Sequence, residues 1–121
     1  MAKPVTAKRR AGDKYEDLAI SFLTKQGLSL LTRNYQCKVG EIDLIMDDGG
    51  TIVFVEVRYR KSQQFGGALT SVTAAKQRKI ALAALHYLQR NKRNSEPCRF
   101  DVMAFSEGEQ QWLQDAFYSP L

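Results

Sequence analysis

Two carboxylates and an arginine, Asp43, Glu56 and Arg58, stand at spacings that could gather them on one face of a sheet. Glu41-Ile42-Asp43-Leu44-Ile45-Met46, then Asp47-Asp48-Gly49-Gly50, then Thr51 to Tyr59 reads as strand, tight turn, strand. Side chains alternate faces along a strand, so Glu41, Asp43 and Ile45 should share one face and Ile42, Leu44 and Met46 the other. Likewise Phe54, Glu56 and Arg58 lie opposite Val53, Val55 and Val57. If Gly49 and Gly50 form a two-residue loop, Asp48 pairs with Thr51 and Asp43 falls directly across from Glu56. An Asp48-Gly49 turn leaves the two carboxylates diagonal on one face, and only an odd-length loop separates them. Side by side among valines they repel each other, and burial raises that cost, unless something positive sits between them. A divalent cation is one answer and Arg58 is the other. The chain has one histidine, His86, and two cysteines, Cys37 and Cys98, far apart in sequence. Metal chemistry here must therefore rest on oxygen ligands, which points to Mg²⁺ or Mn²⁺.

These residues need elements to position them. Residues 1–11 hold Lys3, Lys8, Arg9 and Arg10 with Pro4 and almost nothing apolar, the composition of a flexible basic arm outside the core. Residues 12–121 are expected to form one domain. Tyr15, Leu18, Ala19, Phe22 and Leu23 recur at helical spacing, and Gly27 supplies a stop. Leu28 to Tyr35 reads as a first strand, followed by a loop around Lys38 and Gly40 and then by the hairpin. Thr73 can cap a helix from Ala74 to Arg90 whose apolar face is Ile80, Ala84, Tyr87 and Leu88. At about 100° per residue, Lys76, Lys79, His86, Arg90 and Arg93 fall on a separate, basic stripe. Cys98 to Phe105 and Gln111 to Phe117 read as two more strands. The sum is an α/β fold, a central mixed β-sheet flanked by helices, with Trp112 and Phe117 as core or interface residues.

At 121 residues and 44% hydrophobic composition the chain can bury a core without disulfides or metal staples. No stretch approaches the roughly 20 apolar residues of a membrane span, and no apolar segment follows the basic start as in a signal peptide. The expected location is the cytoplasm, with both thiols free. Net charge is +5, and its distribution is more telling than its size. From Arg58 to Arg99 ten basic residues face one acidic residue, Glu96. Most carboxylates lie earlier, between Asp13 and Glu56. Such segregation suggests a polyanionic partner: nucleic acid, with Arg60, Lys61, Lys76, Lys79, Arg90 and Arg93 as phosphate contacts. The basic stripe reads equally as a solvated helix face.

The run Gly40-Glu41-Ile42-Asp43-Leu44-Ile45 with Val53-Phe54-Val55-Glu56-Val57-Arg58 closely resembles the bacterial UPF0102 (YraN-like) family. The resemblance spans residues 12–117 and includes Gly12 with Glu16, Phe65-Gly66-Gly67, Thr73 with Lys76-Gln77, and Arg99-Phe100-Asp101-Val102. That family is in turn similar to archaeal Holliday-junction resolvases and to the restriction-endonuclease-like superfamily, whose pattern is a helix glutamate, an Asp and a Glu-x-Lys strand. The resemblance implies that fold, with Glu16 as the helix glutamate, Asp43 as the Asp and Glu56 as the strand Glu. Arg58 stands where the superfamily usually has Lys. An arginine stays charged at any accessible pH, so it can stabilise charge on a phosphate but not act as a general base. By the same resemblance Asp43 and Glu56, with Glu16 or Glu41 as a further ligand, would hold the metal. Gln77 would point back at the site, although Ala81 departs from the Gln-x-x-x-Tyr pattern of some superfamily members.

The implied activity is metal-dependent hydrolysis of phosphodiesters in branched or structured DNA. Cutting two symmetric strands implies a homodimer. The alternative is a nucleic-acid-binding protein that keeps the fold without the chemistry, which the arginine at position 58 favours. Three assignments stay open against plainer ones. Asp43, Glu56 and Arg58 could be a structural ion-pair cluster. Glu16, on the first turn of its helix, could simply complement the helix dipole. Asp101 could lie near the carboxylates or accept a hydrogen bond from Arg99 or a backbone amide.

Overall fold

The computed structural model describes the backbone of residues 7–61 and 71–121 and the side chains of residues 12–61 and 71–121. The elements are α1 (Ala7–Lys25), β1 (Ser29–Cys37), β2 (Gly40–Asp48), β3 (Thr51–Tyr59), α2 (Ala74–Arg90), β4 (Cys98–Ser106) and β5 (Glu109–Phe117). The five strands form one sheet in sequence order. All neighbours are antiparallel except β3 and β4, which run parallel and are joined through α2. The chain is thus α/β, with a mixed sheet flanked by helices. Phe65-Gly66-Gly67 lies outside the described residues.

The first helix starts earlier than its apolar stripe. It takes in Ala7 to Ala11, the end of the segment expected as a flexible arm, because Ala, Lys and Arg are all strong helix formers. Glu16 is consequently an interior residue of α1, nine positions after its start, and not a first-turn charge at the dipole. Gly27, with φ of 100°, ends the helix, and the Leu28 amide donates back to the Leu23 carbonyl at 3.1 Å.

Two apolar layers cover the two faces of the sheet. Ala19, Leu23 and Leu28 pack with Leu44, Met46, Val53, Val55, Met103 and Phe105 on the α1 side. On the other side Ile80, Ala84, Tyr87 and Leu88 of α2 meet Ile45, Ile52, Phe54, Phe100 and Val102. Phe117 stacks on Phe100, and Trp112 packs into the α1 layer. The alternation expected for β3 therefore holds, with Val53 and Val55 opposite Phe54. In β2 it breaks. Ile42 belongs with Ile45 in the α2 layer and not with Leu44 and Met46, so the strand changes its facing at Asp43. Among the described residues no helix is long and apolar enough to cross a membrane.

Candidate active site

The β2–β3 turn decides which carboxylates meet. Gly49 and Gly50 both have positive φ, 58° and 100°, the backbone a two-residue hairpin loop requires. Asp48 pairs with Thr51, and the ladder runs as far as Leu44 opposite Val55. The next step of that register sets Asp43 opposite Glu56. At that step the two strands stop exchanging main-chain bonds in a regular ladder, and the Val57 amide donates instead to Asp43 Oδ2 at 2.9 Å. The break in β2 thus turns the Asp43 carboxylate in beside β3.

Glu56 is 3% exposed, and its Oε2 lies 3.1 Å from Arg58 Nη2. Its Oε1 is buried and has no hydrogen-bond partner among the described residues, as is also true of Arg58 Nε. Burial, followed by the Asp43 charge, pushes the Glu56 carboxyl up to about 8, against the opposing pull of Arg58 and Lys76. Burial also raises Asp43, while the Val57 amide, Arg58 and Lys76 pull it down. Two acids thus share a site in which Asp43 is half-buried, Glu56 is buried and Glu56 Oε1 has no hydrogen-bond partner among the described residues.

The remaining predicted residues divide by position. Glu16 is buried but held by Arg33, whose Nε sits 3.1 Å from Glu16 Oε1. Arg33 also pairs with Asp17 at 2.6 Å and donates to the Asp13 carbonyl, so it clamps β1 to α1. Burial, the largest cause, and the Asp43 charge raise the Glu16 carboxyl, opposed by the Arg33 and Asn34 hydrogen bonds. Glu41 is exposed, and Gln36 Nε2 approaches its Oε2 at 3.5 Å. Among the described residues no three His, Cys, Asp or Glu side chains converge on one point, so Glu16 and Glu41 are not gathered with Asp43 and Glu56 into a ready ligand set. Gln77 donates to the Val72 carbonyl at 3.1 Å and so steadies the start of α2.

Lys76 has a place that its sequence position did not suggest. Read along the helix it belongs to a phosphate-binding stripe, yet its charge acts on both Asp43 and Glu56. The usable signal was Thr73: its Oγ1 caps the Lys76 amide at 3.2 Å and fixes Lys76 in the first turn of α2. Lys79 and Arg90 are exposed on α2, and Arg60 and Lys61 are exposed beyond β3. Arg93 leaves the stripe, because the helix ends at Arg90 and Lys92 takes a φ of 56°. Its guanidinium pairs with Glu96 at 3.1 Å. His86 is exposed and shares a hydrogen bond with the Tyr35 hydroxyl. Asp101 is fully buried and accepts from Arg99 Nε, Trp112 Nε1 and the Asp115 amide, so it is a structural acid.

The fold and this pair define an α/β protein whose mixed sheet carries two apposed carboxylates at its central hairpin, an arrangement consistent with the restriction-endonuclease-like fold. The family model described as "Uncharacterised protein family UPF0102" matches residues 15–105, and the chain belongs to that family. It is similar to UPF0102 proteins of Janthinobacterium sp. (strain Marseille), 53% identical over 94% of this chain and 92% of the relative, and of Methylobacillus flagellatus, 51% identical over 90% and 97%. A third, from Pseudomonas fluorescens, is 49% identical over 96% of this chain and 99% of its own length.

Proposed function

We propose that this protein is a metal-dependent endonuclease that hydrolyses phosphodiesters in branched or structured DNA. The observation that carries the reading is the apposition of Asp43 and Glu56 in a buried site with Glu56 Oε1 unpartnered. That donor set suits a hard divalent cation. Mg²⁺ keeps several waters, so two carboxylates and a main-chain carbonyl near Val57 are sufficient ligands from the protein. When bound, the cation supplies Lewis acidity at the phosphate and acidifies a water.

The chain's own residues divide the remaining work. Arg58 holds Glu56 in place and stabilises negative charge building on the phosphate. Lys76 adds a second positive charge from α2. Glu16 stays back, held by Arg33. The free thiols of Cys37 and Cys98 suit a reducing cytoplasm, and a homodimer would present two sites to a symmetric junction.

A second reading, binding without cleavage, is favoured by one observation: Arg58 already pairs with Glu56 and occupies the position where a lysine is usual in the superfamily. Labelled single-stranded, duplex, flap and four-way-junction DNAs, incubated in Mg²⁺, in Mn²⁺ and in EDTA, separate the two. The nuclease reading expects product only with metal. Asp43→Asn and Glu56→Gln should each lower cleavage by more than the roughly 10–100-fold that losing a ligand's supporting groups costs. Binding with no product in either metal moves the assignment to the second reading.

A further inference from the structure

A second feature adjoins the carboxylates and is built from other residues. The β1–β2 turn and the first turns of α2 border an open cleft of about 520 Å³ whose lining includes Lys38, Gly40, Glu41, Lys76 and Lys79. Gly40 sets its shape. A Cβ there would stand 3.0 Å from the Lys79 carbonyl oxygen and 3.4 Å from Lys79 Cβ, so a glycine lets the turn seat this closely against the helix without crowding its backbone.

Three lysines from two segments distant in sequence thus face one space with a single carboxylate, Glu41, on its rim. Glu41 is itself approached by Gln36. Among the described residues none of the three lysines closes an ion pair. The first turn of α2 carries no acidic residue, so its amide ends add to the positive field. Glu41 lies two residues, roughly 7 Å, from Asp43 along β2. Lys76 both lines the cleft and acts on the carboxylate pair. Arg90 lies eleven residues beyond Lys79 on α2, roughly 16 Å along the axis, so the cleft is a local site and not one end of a stripe along the helix.

We propose that this cleft is a phosphate subsite, in which Lys38, Lys76 and Lys79 grip the backbone phosphodiester neighbouring the one presented to Asp43 and Glu56. The inference rests on the nucleic-acid reading above and deepens it. It adds Lys38, which no helical projection could reach, and it gives the strand a fixed path from the carboxylates towards the β1–β2 turn.

The test uses the full chain in EDTA, so that binding is read apart from cleavage. Affinity for labelled duplex and junction DNA is measured across a salt series for the parent, Lys38→Met, Lys79→Met and the double variant, with Lys25→Met, on exposed α1 surface, as control. Lys76 is left in place because it also serves the carboxylates. Circular dichroism establishes that each variant is folded. Each single cleft variant should lower the slope of log affinity against log salt by about 0.9 on duplex, the double by about twice that, and Lys25→Met should leave it unchanged. DNA binding by the parent with the same slope in the double variant overturns the subsite and leaves the nuclease reading standing. No DNA binding by the parent overturns both. Inorganic phosphate that binds the parent and is lost in the double variant, with DNA slopes unchanged, makes the cleft a site for free phosphate and overturns the backbone assignment.

Discussion

Glu56 shows how one residue can set a molecule's response to pH. Its folded carboxyl is raised from 4.5 to about 8, so between those values the folded chain holds a proton that the unfolded chain releases. The metal-free protein must then lose stability as pH rises through that window, by up to about 1.4 kcal/mol per pH unit. Arg58 and Lys76 limit the loss, since both favour the charged form. Urea denaturation in EDTA at pH 5, 6.5 and 8 should show the parent weakening with pH while Glu56→Gln changes less, the variant being the more stable at pH 8. Parallel curves for the two proteins would remove Glu56 as the source. Bound Mg²⁺ should flatten the parent's curve, because a cation favours the ionised carboxylate.

At the scale of elements the decisive contact is the seat of the β1–β2 turn on α2. Gly40→Ala places a Cβ against Lys79 backbone that cannot swing away, so we expect a loss of about 1–3 kcal/mol. Gly12 makes an instructive contrast. It lies inside α1, and among the described residues no atom comes within 4 Å of the point where an alanine methyl would stand, so Gly12→Ala should stabilise the fold by about 0.5–1 kcal/mol through helix propensity. Chemical denaturation of the two variants should give shifts of opposite sign; two losses of equal size would mean that neither contact nor propensity is responsible.

Across the whole molecule, one buried acid ties three strands together. Asp101 on β4 accepts from Trp112 and Asp115 on β5 and from Arg99, whose Nη1 reaches Asp48 at the tip of the β2–β3 hairpin at 2.9 Å. Asp101→Asn leaves Arg99 with Asp48 as its remaining counter-charge and disturbs a buried acceptor of three hydrogen bonds, so it should cost about 1–3 kcal/mol. Calorimetry should record a lowered Tm, whereas DNA affinity well below that Tm should match the parent. A fall in affinity without a fall in Tm would move Asp101 from the scaffold to the site.

Much of this site was legible in the chain itself, because it depends on local rules. Paired glycines at 49 and 50 dictate a two-residue loop, and that loop dictates the register as far as Leu44 opposite Val55, one step short of Asp43 and Glu56. Thr73 likewise marks the start of α2, and the Val53-Val55 alternation marks the faces of β3. Other features depend on elements distant in sequence, and only the tertiary structure decided them. Where β2 parts from the β3 ladder, and that Ile42 then joins the α2 layer, are two of them. That Arg33 engages Glu16, that Lys76 reaches the acids and that Lys38 joins Lys79 across a cleft follow from how helices seat on a sheet. Spacing along one segment carries periodicity and turn geometry, but it carries no information about which end of another segment comes to lie beside it.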